Sequence, residues 1–198
     1  RHNIQFILNA AEAQLIFVDT PGLTKADSQL TERMMAMGQR AAADADVILL
    51  LADAAREAPG RPEQAVIKQA REQRVPLVIA FNKIDRVDSE QLLRTLARYS
   101  EAAPDVPLVP ISALTGEQVD RLIEVLAGRL PEGGALYDAD IYTDQTERVL
   151  AAELIRQQIL HHTREEIPHG TAVQITTFED QLKDDAKDEY DRKLVRIE

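Results

Sequence analysis

No cysteine occurs among the 198 residues, which excludes a disulfide framework, thiolate metal ligands and a cysteine nucleophile. Positive charge is scarce: 23 Lys and Arg stand against 34 Asp and Glu, a formal net charge of −11. Undirected binding of polyanions by the whole chain is therefore not expected, and any nucleic-acid site must be local. Long hydrophobic runs are missing too. The longest, such as Val47 to Ala52, have strand length and fall far short of the roughly 20 residues of a membrane span. Aromatic residues make up only 4% of the chain, beside 44% apolar and 29% charged residues. That is otherwise an ordinary soluble composition, long enough for one full domain and part of a second.

The chain opens on Arg1-His2-Asn3, without methionine, and runs at once into an alternating strand pattern. It closes on another strand-like run, Leu194 to Ile197, so it reads as an internal fragment on which no targeting sequence can be judged.

Short β-branched runs predict strands at Ile4 to Leu8, Leu15 to Val18, Val47 to Leu51, Leu77 to Phe81 and Val106 to Ile111. The last three look buried on both faces. Helical patterns fall at Gln29 to Ala43, Pro62 to Gln73, Ser89 to Ser100 and Glu117 to Arg129, with Pro62 acceptable in a first helical turn. From Asp46 onward strand and helix alternate, which argues for parallel strands with crossover helices. The first two strands are joined by only Asn9 to Gln14 and must form an antiparallel hairpin. The predicted class is α/β with a mixed, mostly parallel sheet.

Pro131, Gly133-Gly134 and scattered Asp and Thr break the alternation, so residues 131–145 read as a linker between a domain over 1–130 and another over 146–198. Beyond it, Asp144 and Glu147 are a plausible capping pair for a helix whose Leu150, Ala151, Leu154, Ile155 and Ile159 share one broad face that reads as core. Pro168 ends that helix. Thr171 to Phe178 then reads as a strand, and Glu179 to Asp191, with seven acids and two lysines, as a solvated loop. His161 and His162 are adjacent, point about 100° apart on a helix, and read as surface residues.

Three loops at predicted strand ends carry the chemistry, because ligands in open α/β sheets sit at the carboxyl ends of strands. Asp19-Thr20-Pro21-Gly22 follows the second strand. Asp19 there can reach a bound ion and Gly22 lets a backbone N–H approach a phosphate, although Asp-x-Pro-Gly is also a good turn sequence. Asn82-Lys83-Ile84-Asp85 follows the fourth strand. Asp85 can accept the ring N–H and the exocyclic amine of guanine, a pair that adenine does not offer. Lys83 would lay its methylene stem along the ring and Asn82 would tie the loop to its neighbours. An Asn and Asp helix cap is the plainer reading of those residue types. Ser112-Ala113-Leu114 follows the fifth strand, where the Ala113 N–H is placed to meet the guanine O6.

In this order the three loops resemble the G domain of P-loop GTPases of the translation-factor class. Glu147 to Arg156, followed by Arg164-Glu165-Glu166-Ile167-Pro168-His169 and Thr171-Ala172-Val173, resembles the junction into the KH domain of the Era family, GTPases of small-ribosomal-subunit assembly. Together these resemblances span nearly the whole chain. They imply a G domain followed by the N-terminal part of an α+β KH domain, with GTP hydrolysis as a switch and GTP/GDP and Mg2+ as cofactors. Asp19 would hold the metal through water, and Asp19, Thr20, Pro21, Gly22, Asn82, Lys83, Asp85, Ser112, Ala113 and Leu114 would bind the nucleotide. The implied partners are small-subunit ribosomal RNA and the 30S-type subunit, for a monomer resident in the cytoplasm, with a peripheral place at the inner face of the membrane allowed.

The sequence departs from that family in three places. It has no Gly-x-x-x-x-Gly-Lys-Ser/Thr and no Gly-Lys pair, so the phosphate-cradling loop would lie upstream of Arg1. Leu23 stands where many such GTPases carry the glutamine that orients the attacking water, and it cannot do so. The Gly-x-x-Gly turn with which KH folds approach the nucleic-acid backbone is also missing. The chain alone is therefore expected to be inactive. A non-catalytic interaction module and another GTPase of the same class remain alternatives, and a dinucleotide-dependent dehydrogenase ranks last for want of Gly-x-Gly-x-x-Gly. Arg148, Arg156 and Arg164 read as solvated helix charges before they read as phosphate contacts.

Overall fold

Gln5–Asn9 (β1) and Gln14–Val18 (β2) pair antiparallel, with Ile7 opposite Ile16 and Leu8 opposite Leu15. The computed structural model describes residues 5–10, 12–19, 45–162, 172–182 and 193–197, with side chains throughout except at 161, 179–182 and 193–197. The predicted helix at 29–43, Thr20, Pro21, Gly22, Leu23, Arg164 and Pro168 lie outside the described residues.

Ile48–Asp53 (β3), Leu77–Asn82 (β4) and Leu108–Pro110 (β5) form a parallel sheet in the order β3-β4-β5. Arg61–Gln73 (α1), Ser89–Ala102 (α2) and Val119–Ala127 (α3) alternate with them. The predicted antiparallel and parallel pairings are thus both present, carried by separate ladders. β5 is shorter than the predicted Val106 to Ile111. Pro107 and Pro110 have no N–H to give, so their segment joins the sheet through the carbonyl of Pro107, which accepts from the Ile79 N–H at 3.0 Å, and through the Ile111 N–H, which donates to Phe81 O at 2.8 Å.

Local chemistry sets the helix ends. The Asp88 side chain caps α2 by accepting from the Gln91 N–H. Arg74, in a left-handed conformation with φ 58°, closes α1. α3 starts two residues later than predicted because Gly116 and Gln118 both take positive φ, which an α-helix does not admit.

Two apolar layers enclose β4. On one face Leu50, Ala52, Ile79 and Phe81 pack with Ile67 and Ala70 of α1 and Tyr99 of α2. On the other, Val78, Ala80 and Val109 pack with Leu122 and Leu126 of α3 and with Leu15 of β2. β4 is buried on both faces as expected, but β3 is not, since Leu51 is 60% exposed. β3 is an edge strand of its ladder, and among the described residues nothing covers that outer side chain. Tyr99 meets Phe81 edge-on, with centroids 4.8 Å apart, and burial pushes its phenol up to about 12.

Part of the predicted linker is bonded to the hairpin. The Gln14 amide oxygen accepts from the Leu136 and Tyr137 N–H groups at 2.8 and 2.9 Å, while its Nε2 donates to Tyr137 O and Asn9 Oδ1. The Ile7 N–H donates to Tyr142 O, and Thr143 Oγ1 donates to Gln5 O at 2.7 Å. The chain divides into compact units at Arg1–Thr143 and Asp144–Glu198.

The second unit holds Glu147–His162 (α4) and an antiparallel pair, Phe178–Leu182 (β6) with Lys193–Ile197 (β7). Three expectations change here. Thr146, rather than Asp144, sits at the cap of α4, its carbonyl and Oγ1 both accepting from the Val149 N–H. On the stripe read as core, Leu150, Ala151 and Ile159 are half-buried while Leu154 and Ile155 stay exposed. Residues 172–177 form no strand, although Ile175 is buried. The strand begins at Phe178 and runs into the acidic stretch, so Glu179 to Leu182 are not loop. Their register sets Glu179 opposite Arg196. His162 is exposed, as expected.

Candidate functional site

β3, β4 and β5 all point their carboxyl ends to one side, and register places Asp53 level with Asn82 and Phe81 level with Pro110. The last buried residue of β4 is Phe81. Beyond it Asn82 turns the chain: its Oδ1 accepts from the Lys83 N–H at 2.8 Å and from the Ala113 N–H at 2.9 Å. One side-chain oxygen thus holds two loops together across 31 residues of sequence. The first bond supports Lys83 at φ 70°, a left-handed conformation that few non-glycine residues adopt. A short 3-10 turn, Ile84–Arg86, follows, and the Ile84 N–H donates to Ile111 O at 3.2 Å.

Ser112 is fully buried at the end of β5 and donates its hydroxyl to Asp85 Oδ1 at 2.6 Å. It also accepts from the Thr115 N–H at 3.2 Å. A short bond to a carboxylate is a strong one, and here it fixes the plane of the Asp85 head group. The remaining oxygen, Oδ2, lies 3.9 Å from Arg86 Nε, and the Asp85 side chain is 22% exposed. A carboxylate so held, with its rim open, presents an acceptor pair in a fixed direction. Leu114 projects outward, exposed, at the tip of the same loop.

Lys83 Nζ reaches Asp53 Oδ2 at 2.7 Å. Asp53 in turn accepts from the Ala55 N–H at 3.0 Å through Oδ1. The hydrogen bond from Lys83, with help from the Ala55 N–H, holds its carboxyl below the ordinary carboxylate value. The bond to Lys83 is thus complete at neutral pH and weakens in acid, as pH falls through that lowered value. Asp19 follows β2 directly and is exposed.

Of the predicted site residues, the structure brings together Asn82, Lys83, Asp85, Ser112 and Ala113 in two bonded, adjoining loops, while Asp19 and Leu114, also described, take no part in these bonds. The Ala113 N–H already donates to Asn82 Oδ1, so a ligand carbonyl meeting it would share that donor. Asp53 is not singled out by the sequence. Its signal is present, an acid at the carboxyl end of a strand level with Asn82, but nothing local ties it to a residue 30 positions away.

Comparison with known proteins gives a consistent picture. Residues 3–132 match the family model described as the elongation factor Tu GTP binding domain. The chain is 40% identical over 190 residues to a GTPase Era of Clostridium botulinum (strain Hall), a match covering 96% of this chain and 62% of that protein. A GTPase Era of Heliobacterium modesticaldum is 39% identical over 92% of the chain and 61% of its own length. The chain thus spans about three-fifths of the curated relatives it matches. Among solved structures, an Era variant of Aquifex aeolicus bound to GDP and aluminium fluoride superposes with a TM-score of 0.79 at 32% identity, covering 93% of this chain and 62% of that one. An Era in complex with MgGDPNP and nucleotides 1506–1542 of 16S ribosomal RNA gives the same TM-score at 31% identity and the same two coverages.

Proposed function

We propose, since the chain belongs to the family of the elongation factor Tu GTP binding domain and is of the Era type within it, that it supplies the guanine-reading half of a GTP-hydrolysing switch. The observation that carries this reading is the Ser112–Asp85 bond of 2.6 Å. It holds one carboxylate oxygen from a buried position and leaves the head group aimed outward, as recognition of paired N–H donors requires. Asn82 locks the Ser112-Ala113-Leu114 loop to the Asp85 loop, and Lys83 covers the ring face. A base carbonyl meeting the Ala113 N–H would share that donor with Asn82.

The Mg2+ site rests on Asp19. Asp19 presents an exposed carboxylate directly after β2. That suits Mg2+, which keeps several of its waters and takes few protein ligands. The metal supplies charge neutralisation at the phosphates when bound. The phosphates themselves require the Gly-x-x-x-x-Gly-Lys-Ser/Thr loop, which this sequence does not contain. Thr20, Pro21 and Gly22 complete the proposed phosphate side.

In a protein joining this chain to such a loop, GDP is expected to bind about 100-fold or more tightly than ADP, because a site built to pair with donors rejects a base lacking them. Hydrolysis of GTP should depend on magnesium, and the chain alone should show none. Isothermal titration with both nucleotides and a phosphate-release assay check this. Equal GDP and ADP affinities, or magnesium-dependent turnover by the chain alone, would overturn it.

The intact protein, on the same reading, binds small-subunit ribosomal RNA through a KH domain that begins near residue 146, in assembly of the 30S-type subunit. This chain alone is expected not to select that RNA. Its net charge is −11 and residues 146–198 hold one glycine, Gly170, so no Gly-x-x-Gly clamp is available. Arg148 and Arg156 are also engaged internally. Arg148 donates to the carbonyls of Ile175 and Thr176, and Arg156 pairs with Glu153. Screening over about 8 Å at physiological salt leaves little attraction from charges so engaged. Titration against an oligonucleotide of the RNA 3′ end and a scrambled control tests this, and sequence-selective micromolar binding would refute it.

A further inference from the structure

We infer that Asp53 is a positioning residue for guanine recognition, fixing the Lys83 stem as the floor on which the base lies. This role deepens the proposed function and rests on it. Lys83 is fixed at both ends: at its backbone by Asn82 Oδ1, which accepts from its N–H, and at its tip by Asp53 Oδ2, 2.7 Å from Nζ. A four-carbon side chain held at two points has less rotamer freedom left to lose when a ligand arrives, which is the condition for preorganised binding.

The anchor itself is rigid. The Ala54 N–H extends the β3–β4 ladder by donating to Asn82 O at 2.9 Å, and the Arg56 N–H closes a turn onto Asp53 O. α2 buttresses that turn from behind. The buried Thr95 hydroxyl donates to Ala54 O at 3.3 Å, and Gln91 Nε2 donates to Ala55 O at 3.2 Å. Asp53 therefore presents its carboxylate from a fixed platform, level in register with Asn82.

Stability does not account for the ion pair. The Lys83 and Asp53 side chains are 49% and 33% exposed, and pairs this open contribute little to folding. What the pair does set is direction. It stretches the methylene stem across the strand ends while leaving its flank in solvent, an apolar strip matched to one face of a planar ring. Asp85 selects which base binds, and Asp53 governs how well the surface for that base is prepared.

The test uses the full chain and three nucleosides as probes, guanosine, adenosine and xanthosine, with binding followed by NMR titration. Asp53→Ala is expected to weaken guanosine binding about 3- to 10-fold, the cost of ordering one freed side chain, while leaving the ranking of the three nucleosides unchanged. Asp53→Glu should restore part of the loss. Transfer of magnetisation between the Lys83 methylene protons and the guanosine ring proton should be seen in the parent and lost in Asp53→Ala, a signature that a purely structural role would not move. Thermal melts of each variant separate altered binding from altered folding. Guanosine affinity that is unchanged or tighter in a folded Asp53→Ala, with the parent still preferring guanosine, overturns the positioning role and leaves the guanine reading intact. A parent that binds the three nucleosides equally overturns both.

Discussion

Replacing Asp85 by Asn should turn a guanine site into one that prefers xanthine. On the proposed reading the carboxylate accepts both donors on the guanine edge, whereas an amide offers one acceptor and sets its own NH2 group against a donor of the base. Losing one half of such a pair and leaving a donor unmatched costs about 2 to 4 kcal/mol. Xanthine carries a carbonyl where guanine has its amine, so the Asn amide becomes complementary to it. Ser112 makes the expectation sharper. Its hydroxyl donates to Asp85 Oδ1 at 2.6 Å, and an Asn oriented with its carbonyl toward Ser112 keeps that bond while turning its NH2 to the ligand. The measurement is competition between GDP and XDP for the protein joined to its phosphate loop, before and after the substitution. An unchanged ratio would show that the base is read elsewhere.

The local part of this site is legible in the sequence because it follows strand ends. The buried run Leu77 to Phe81 is continuous and β-branched, so its end can be placed to within a residue, and the loops after β4 and β5 fall where their chemistry predicts. Contacts between distant segments are not legible. Asp53 meets Lys83 across 30 residues and Gln14 clasps Tyr137 across 123, and no periodicity reports on either. Other differences have local causes carried by residue type. Pro107 and Pro110 trim β5, and Thr146 competes with Asp144 for the cap of α4. The strand at Phe178 departs from expectation for a different reason. Thr171 to Phe178 has the better strand composition, but residues 178–182 pair antiparallel with β7, and that tertiary pairing outweighs intrinsic preference.

Phe81→Ala should cost more stability than Asp53→Ala, Asp85→Asn or Tyr99→Phe. The ring is fully buried at the last apolar position of β4 and packs edge-on against Tyr99, at 4.8 Å and 88°. Truncation removes the transfer energy of the ring and leaves a cavity between the sheet and α2, together worth about 3 to 5 kcal/mol. The edge-to-face contact accounts for about 0.5 to 1.5 kcal/mol of aromatic pairing. Tyr99→Phe is the informative contrast. Among the described residues the buried Tyr99 hydroxyl has no hydrogen-bond partner, so deleting it removes an uncompensated polar group and should cost less than about 1 kcal/mol or even stabilise. The two variants separate ring packing from phenol chemistry at one contact. The consequence for function is also directional. Phe81 O accepts the Ile111 N–H at 2.8 Å, and Phe81 immediately precedes Asn82, whose side chain joins both base-reading loops. A collapse at Phe81 therefore shifts the platform of Asp85 and Ser112 together, and guanine affinity should fall along with stability, whereas Tyr99→Phe leaves both in place. Urea denaturation of the parent and the two variants gives the comparison, and a loss below about 1.5 kcal/mol for Phe81→Ala, half the lower bound for such a truncation, would mean that this layer is not the core on which the site is built.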